Sequence, residues 1–158
     1  MAVPGCGYTV VSSFPEEVRT IEVPFFQTNS FRRGLEFQLT EAVHQEIQNR
    51  THFRLVKGGV GDTKLIGRLV DARKNVLGET RNDDPRTLQL GFAVEVQWQD
   101  QRTGQVLAQQ AMPVPEQLAQ YYASASFAPE VGASLATAQQ QALDDLARQI
   151  VNSMESPW

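Results

Sequence analysis

The sequence predicts an α+β two-layer sandwich in which two helices pack on one face of a mixed sheet. Apolar residues recur at the spacing of one helix face in two stretches, residues 33–50 and 134–154. In a third stretch, residues 88–98, apolar and polar residues alternate, which indicates a strand with one solvated face. The apolar stripe of each helix and the apolar face of the sheet must all be buried. Packing the two helices on that face buries all three surfaces.

The chain is long enough for one domain. Its 158 residues fit the roughly 100–200 residues of a single domain, and no apolar run approaches the roughly 18–20 residues that span a bilayer. Residues 1–18 contain early Pro and Gly and no sustained period, so we expect an N-terminal tether there. Residues 19–158 are expected to form a single α+β domain.

The first elements of the domain predict a βαβ unit. Residues 19–24 alternate and end at Pro24, which is typical of a short strand. The helix of residues 33–50 follows, with Ser30 as its expected N-cap. Residues 53–56 then form a second strand, and such a strand–helix–strand connection is right-handed in nearly all proteins.

The next segments predict three more strands. Residues 63–72 are rich in aliphatic side chains, and Gly67 within them marks a bulge or a close backbone approach. The polar residues 73–85 are expected to connect this strand to the alternating one. A hairpin loop at residues 100–104 then leads to a returning strand at residues 105–111.

The remaining residues predict a loop and a closing helix. Residues 112–133 contain several Pro residues, and we expect a long irregular loop that carries Tyr121, Tyr122 and Phe127. Ser134 is the expected N-cap of the second helix, whose apolar stripe continues to Met154.

Composition argues against several functional classes. One cysteine, Cys6, excludes a disulfide scaffold and a cysteine-based zinc site, and we predict no cofactor or metal. With two histidines and no Ser or Cys in a recognisable nucleophile motif, an enzyme is the weaker hypothesis. The net charge of −4 argues against a nucleic-acid partner.

Positive charge is concentrated in one segment. Residues 54–86 contain eight Lys or Arg and five Asp or Glu, against the acidic balance of the whole chain. Alternation along a strand places Lys64 and Arg68 on one face, where two cations can bind phosphate. The other explanation is a solubilising strand edge, because charged residues protect edges from unwanted pairing.

Several stretches resemble one known family. The chain is similar to the LptE family of lipopolysaccharide-assembly lipoproteins in residues 5–8, 18–29, 35–42 and 94–107 and in the closing Ala-rich helix. The resemblance implies two helices on a four-stranded sheet and no catalysed reaction. It also implies an outer-membrane protein, lipid-anchored on the periplasmic face, that inserts into the LptD β-barrel, assists assembly of that barrel and contacts lipopolysaccharide.

The resemblance assigns a role to Cys6, and side-chain chemistry suggests which residues make the contacts that the resemblance implies. Cys6 matches the acylated cysteine, although Pro4 is unusual in a lipobox and no secretory signal precedes it, so we expect the sequence to start near the cleavage site. For the lipopolysaccharide contact we expect Lys64, Arg68, Arg73 and Lys74, and for packing against the barrel we expect Tyr121, Tyr122 and Phe127.

A second family offers an alternative. Periplasmic lipoproteins that activate a peptidoglycan synthase also show a strand ending in Pro-Phe before Asn, followed by a long helix. The hairpin around residues 102–104 and the single closing helix resemble the lipopolysaccharide-assembly family better.

Overall fold

The computed structural model describes residues 14–28, 34–79, 85–104, 119–127 and 134–155. These residues form two helices and a mixed sheet. The elements are β1 (Thr20–Glu22), β2 (Gln27–Thr28), α1 (Leu35–Arg50), β3 (Arg54–Val56), β4 (Thr63–Glu79), β5 (Pro85–Asp100), β6 (Ala119–Phe127) and α2 (Leu135–Asn152).

Within the described residues the sheet has six strands, so the four strands implied by the family resemblance are too few. The strand order is β3-β1-β4-β5-β6, and β2 pairs with β4 beyond the end of β1. The strands β1, β2 and β3 join their neighbours in parallel, while β4–β5 and β5–β6 are antiparallel, which confirms a mixed sheet. The parallel β1–β3 pair around α1 matches the predicted βαβ unit.

Two segments predicted as connections are strands instead. The strand β4 continues through residues 73–79 and pairs with β5 there, with register shifts between Val76 and Gly78 and between Gly78 and Glu79; pairing with a neighbouring strand overrides the weak strand propensity of these polar residues. Part of the predicted loop 112–133 forms β6. The predicted returning strand, residues 105–111, lies outside the described residues.

The helices begin at different kinds of cap. At α2 the prediction is confirmed, since the Ser134 hydroxyl accepts a hydrogen bond from the Thr137 amide at 3.1 Å. At α1 the N-cap is Gly34, not Ser30, with a φ of 95° that favours glycine. The two helices run side by side in the same direction, because Gln38 contacts Gln139 near their starts and Arg50 contacts Asn152 near their ends.

The core lies between the helices and one face of the sheet. Alternate residues of β4 and β5, including Leu65, Leu69 and Phe92, are buried against the apolar stripes of α1 and α2. The core also includes residues from the segment before β1. Phe14 and Val18 are buried in it, although they fall within the predicted tether. The Phe14 ring meets Phe53 with a centroid distance of 5.7 Å.

Phe26 and Gly67 account for the close backbone approach predicted in β4. The Phe26 ring lies against Gly67, where an added Cβ would come within 2.6 Å of three ring atoms. The Phe26 side chain is only 2% exposed, and its amide donates to the buried Thr40 hydroxyl at 3.0 Å. The glycine therefore leaves room for an aromatic ring that belongs to the core. The irregularities of the β4–β5 ladder lie further along, and the first of them falls between Leu69 and Asp71.

Asp62, directly before β4, forms hydrogen bonds with the backbone at the start of β1. Its Oδ2 accepts hydrogen bonds from the Arg19 and Thr20 amides at 3.1 and 3.0 Å. These backbone donors, the Arg19 amide foremost, hold the pKa of the Asp62 carboxyl below its usual value.

We expect Asp62→Asn to destabilise the protein at neutral pH and to have less effect in acid. A lowered folded-state pKa means that the stabilisation is present above the unfolded pKa of about 4 and is lost as the pH falls below it. The free energy of unfolding, measured by urea denaturation, should be lower in the variant than in wild type by about 1 kcal/mol at pH 7 and by less at pH 3. Asp144→Asn, at a half-buried position on α2 where the carboxylate accepts from the Gln140 side chain, is the control; an equal pH dependence in both variants would contradict the assignment.

Candidate ligand and partner surfaces

The sheet face opposite the helices carries the predicted cations Lys64 and Arg68. On β4, Leu65 and Leu69 are buried while Lys64 is half-buried and Arg68 is exposed, as the predicted alternation requires. Four residues of strand place their Cα atoms about 13 Å apart, so the pair offers two separate positive positions rather than one clamp on a single phosphate. Such spacing suits a ligand with more than one anionic group.

Each cation has a local partner on a neighbouring strand. The Lys64 Nζ lies 3.7 Å from the Glu22 carboxylate on β1, and the Arg68 guanidinium donates to the Gln27 side-chain oxygen at 3.2 Å. Arg68 also lies opposite Glu95 in the β4–β5 register. These contacts hold the two side chains over the sheet while leaving them accessible to solvent.

Lys64 and Arg68 do not protect a strand edge. Along residues 63–69, β4 has β1 and then β2 on one side and β5 on the other, so this part of the strand is central in the sheet. The edge explanation from the sequence is therefore wrong for these two residues. The two cations therefore lie at the centre of the solvent-facing side of the sheet, where a ligand can reach them.

Arg73 and Lys74, the other two residues of the predicted basic site, lie further along β4. They are in register with Gly91 and Leu90 of β5. Their backbone therefore continues the same strand as Lys64 and Arg68, past the irregularity after Leu69. The side chains of both residues lie outside the described part of the structure.

The predicted aromatic loop is wrong, because its three aromatic residues lie on strand β6. Tyr121, Tyr122 and Phe127 are in register with Val94, Ala93 and Leu88 of β5. Tyr121 is half-buried, and its side chain packs against the core of the domain. The side chains of Tyr122 and Phe127 are not among those described.

Two further aromatic residues form an exposed pair that the sequence analysis missed. Phe25 and Phe37 are 68% and 54% exposed, and their rings meet edge to face with a centroid distance of 5.1 Å. Two large apolar side chains that are both exposed and in contact with each other mark an interaction site more often than a single exposed one does. The sequence signal was the Phe25-Phe26 doublet, since neighbours in an extended segment point to opposite sides and one of the two rings must face away from the core. The structure shows that this ring is Phe25.

Both histidines are engaged by the backbone. His44 Nε2 donates to the Val23 carbonyl at 3.1 Å, and His52 Nε2 donates to the Val18 carbonyl at 3.0 Å. Within the described ranges, His, Cys, Asp and Glu form no group of three or more that is placed to hold a metal ion. No helix in the described part of the chain is long and apolar enough to cross a membrane. Cys6 lies outside the described residues.

These features define a class: a two-layer α+β domain whose candidate sites are exposed surfaces. The LptE family model, described as lipopolysaccharide-assembly, matches residues 18–154, and the chain belongs to that family. The family is one of non-enzymatic lipoproteins, which agrees with the resemblance seen in the sequence. No curated protein matches the chain.

Solved structures share the fold at low sequence identity. Uncharacterized lipoprotein B from Nitrosomonas europaea is 13% identical, with a TM-score of 0.60 over 94% of this chain and 88% of that one. A hypothetical protein from Chlamydia trachomatis is 10% identical, with a TM-score of 0.59 over 85% of this chain and 94% of that one. A Xanthomonas campestris protein is 11% identical, with a TM-score of 0.56 over 84% and 81%. At these identities the likeness concerns the fold alone.

Proposed function

We propose that this protein is an outer-membrane lipoprotein subunit of the lipopolysaccharide transport machinery. In this proposal it is anchored on the periplasmic face, occupies the lumen of an LptD-type β-barrel, assists assembly of that barrel and contacts lipopolysaccharide. Family membership over residues 18–154 supports the general role. The observation that carries the lipopolysaccharide contact is the central position of Lys64 and Arg68 on the open sheet face.

Lipopolysaccharide contact is assigned to the basic residues of β4. The lipid core carries several phosphates, and cations spaced along a strand can meet more than one of them. Lys64 and Arg68 supply the two described positions, and Arg73 and Lys74 extend the proposed site along the same strand. The glutamines Gln97 and Gln99 of β5, opposite Ile66 and Lys64, add neutral hydrogen-bonding groups to the same face.

Membrane attachment is assigned to Cys6. Phe14, which is buried in the core of the domain, lies only a short stretch of chain after it. Fully extended, that stretch reaches about 28 Å, so acyl chains on Cys6 would keep the domain close to the bilayer. More than one chain is needed for stable anchoring, as in a multiply acylated N-terminal cysteine.

The barrel contact is assigned to aromatic residues on two parts of the domain. Tyr121, Tyr122 and Phe127 on β6 remain the proposed contacts from the sequence, now as strand residues. The exposed pair of Phe25 and Phe37 adds a second contact, because aromatic side chains are enriched in the buried centres of interfaces.

The proposal is tested by co-expressing the full precursor with the LptD-type barrel of the same genome. The complex is purified in detergent through a tag on this chain. A stoichiometric complex that survives washing is expected. Recovery of this chain without the barrel, while the barrel itself is present and folded, would overturn the proposal.

A double variant tests the aromatic pair in the same assay. Phe25→Ser with Phe37→Ser is expected to lower barrel recovery at least tenfold, because the interface loses two large apolar anchors of the kind that dominate binding energy. The matched control is Val60→Ser, which removes an apolar side chain that is 75% exposed elsewhere on the surface. Equal recovery with wild type and the double variant would show that the pair lies outside the interface.

A further inference from the structure

One carboxylate lies on the same sheet face as the proposed lipopolysaccharide contact. Glu22 on β1 is the register partner of Lys64 on β4, and register partners share a face of the sheet. The Lys64 Nζ lies 3.7 Å from Glu22 Oε2. Glu22 therefore places a negative charge beside one of the two cations to which the phosphates of the ligand are assigned.

The two cations differ in their local partners. The Arg68 guanidinium donates to the side-chain oxygen of Gln27 at 3.2 Å, and an amide oxygen carries no net charge to offset that of the guanidinium. The Lys64 ammonium instead faces a carboxylate. An anionic ligand that approaches Lys64 therefore meets an anion that the protein itself supplies.

The contact between Lys64 and Glu22 is loose enough to be exchanged. Its length of 3.7 Å exceeds the roughly 2.7–3.2 Å of an N–H···O hydrogen bond, so the two groups form an ion pair without a close hydrogen bond. Ion pairs that remain in contact with solvent contribute little to stability. The ammonium can therefore turn to a phosphate with little effect on the fold.

A second residue keeps Glu22 in place when Lys64 moves. Gln101 Nε2, on the loop after β5, donates to the same oxygen, Glu22 Oε2, at 3.3 Å. The backbone of Gln101 is itself fixed, because its amide donates to the Asp62 carbonyl at 2.9 Å. The Glu22 side chain is 13% exposed and the Lys64 side chain is 32% exposed. The carboxylate is thus held at a more buried position than the ammonium.

We propose that Glu22 competes with the anionic ligand for the Lys64 ammonium and thereby limits the affinity of the proposed lipopolysaccharide site. When a phosphate binds Lys64, the ammonium turns from the carboxylate to the phosphate, while Glu22 stays bonded to Gln101. Binding then loses the attraction between Lys64 and Glu22, and the carboxylate repels the phosphate at short range. This inference rests on the proposed function, because it concerns the same ligand.

Positioning of Lys64 is the other role open to Glu22. A carboxylate that orients an ammonium does so through a short, charge-assisted hydrogen bond of about 2.7–2.9 Å. The 3.7 Å separation between Lys64 and Glu22 is too long for such a bond, so the geometry favours competition. The two roles predict opposite changes in affinity when the charge of Glu22 is removed.

Glu22→Gln tests the inference in a titration of the purified protein with lipopolysaccharide. Glutamine keeps the length of the side chain and an oxygen that can accept from Gln101, but it removes the charge. We expect binding to become about threefold tighter, which corresponds to the loss of one partly exposed ion pair.

The matched control is Glu41→Gln, which removes the same charge from the exposed surface of α1. We expect the control to bind lipopolysaccharide as wild type does. If Glu41→Gln tightens binding as much as Glu22→Gln does, net charge explains the gain and the inference is overturned.

A double-mutant cycle shows whether Glu22 acts through Lys64. In a Lys64→Gln background there is no ammonium to release, so we expect Glu22→Gln to raise the affinity by less than it does in the wild-type background. A role of Glu22 in the fold alone would not produce this dependence on Lys64. An equal gain in both backgrounds would show that Glu22 only repels the ligand, and it would overturn the inference.

Glu22→Asp covers the case in which Glu22→Gln does not fold, as judged by thermal unfolding. Aspartate is one methylene shorter than glutamate, so it withdraws the carboxylate from Lys64 without changing the net charge. We expect this variant to bind lipopolysaccharide more tightly than wild type. If it is the only folded variant and its binding is unchanged or weaker, the inference is overturned.

The outcomes separate this inference from the proposed function. If wild type binds no lipopolysaccharide, the proposed contact and this inference both fail. If wild type binds it and Glu22→Gln binds equally well, the inference fails and the proposed contact stands. Weaker binding by Glu22→Gln would assign the positioning role to Glu22 and would likewise overturn the inference alone.

Discussion

Replacing Arg68 with glutamate is expected to weaken binding of lipopolysaccharide to the purified protein at least tenfold. The substitution removes a guanidinium from the centre of the open sheet face and places a carboxylate opposite Glu95. A hydrogen bond to a charged group contributes about 1.5–3 kcal/mol, and about 1.4 kcal/mol corresponds to a tenfold change in affinity. Repulsion between the new carboxylate and the lipid phosphates adds to the loss.

The control for Arg68→Glu is Lys57→Glu. Lys57 is an exposed cation beyond the end of β3, so the control changes net charge equally at a different place. Binding is measured by fluorescence titration at two salt concentrations, since contacts with phosphates weaken as salt rises. If Lys57→Glu weakens binding as much as Arg68→Glu does, attraction by overall charge explains the effect and the strand site is refuted.

Lys64 needs a milder substitution than Arg68. Its ammonium lies 3.7 Å from the Glu22 carboxylate, so glutamate at this position would repel Glu22 as well as the ligand. Lys64→Gln removes the charge without adding a second carboxylate. A weakening with Lys64→Gln that adds to that of Arg68→Glu is expected if the two residues meet separate phosphates about 13 Å apart.

The helices and the long strand were predictable because their signals are local. The apolar stripe of α2 and its Ser134 cap are both visible in the sequence, and the structure places both as expected. The alternation of residues 88–98 likewise gives the core face of β5 directly. In each case the residues that determine the element lie within it.

The strands that the sequence missed depend on distant partners. The two-residue β2 is too short to show alternation and exists because it pairs with Arg68 and Leu69 of β4. The strand β6 lies in a stretch flanked by prolines, and its three aromatic residues stand among small and polar ones, so its ladder with β5 is what identifies it as a strand. The number of strands is therefore set by pairing between distant segments of the chain. The spacing of apolar residues within one segment does not reveal such pairing.

The candidate site was predictable in part. Alternation alone placed Lys64 and Arg68 on one face of a strand. Only the strand order shows that this strand is central in the sheet and not at its edge. The exposure of Phe25 was hidden, because the sequence gives no sign which ring of the doublet enters the core. That choice is made by Gly67 on a strand some forty residues away, where the absence of a side chain admits Phe26.

Replacing Gly67 with alanine is expected to destabilise the domain by about 1–3 kcal/mol, the usual cost of overpacking a core. The new Cβ would lie within 2.6 Å of three atoms of the Phe26 ring, which is buried and has its backbone fixed by the bond to Thr40. Valine at the same position should cost more, because its two methyl groups need further space. The free energy of unfolding is measured by urea denaturation.

A double-mutant cycle with Phe26→Leu tests the cause of this destabilisation. Leucine is smaller than the ring and should make room for the Cβ, so the double variant is expected to lose less than the sum of the two single losses. Additive losses would show that the two residues do not compete for the same space. Since Arg68 follows Gly67 directly and β2 pairs beside it, Gly67→Ala should also weaken lipopolysaccharide binding, and Phe26→Leu should restore part of it. Recovery of both stability and binding in the double variant would link the packing of this glycine to the position of the proposed ligand-contacting arginine.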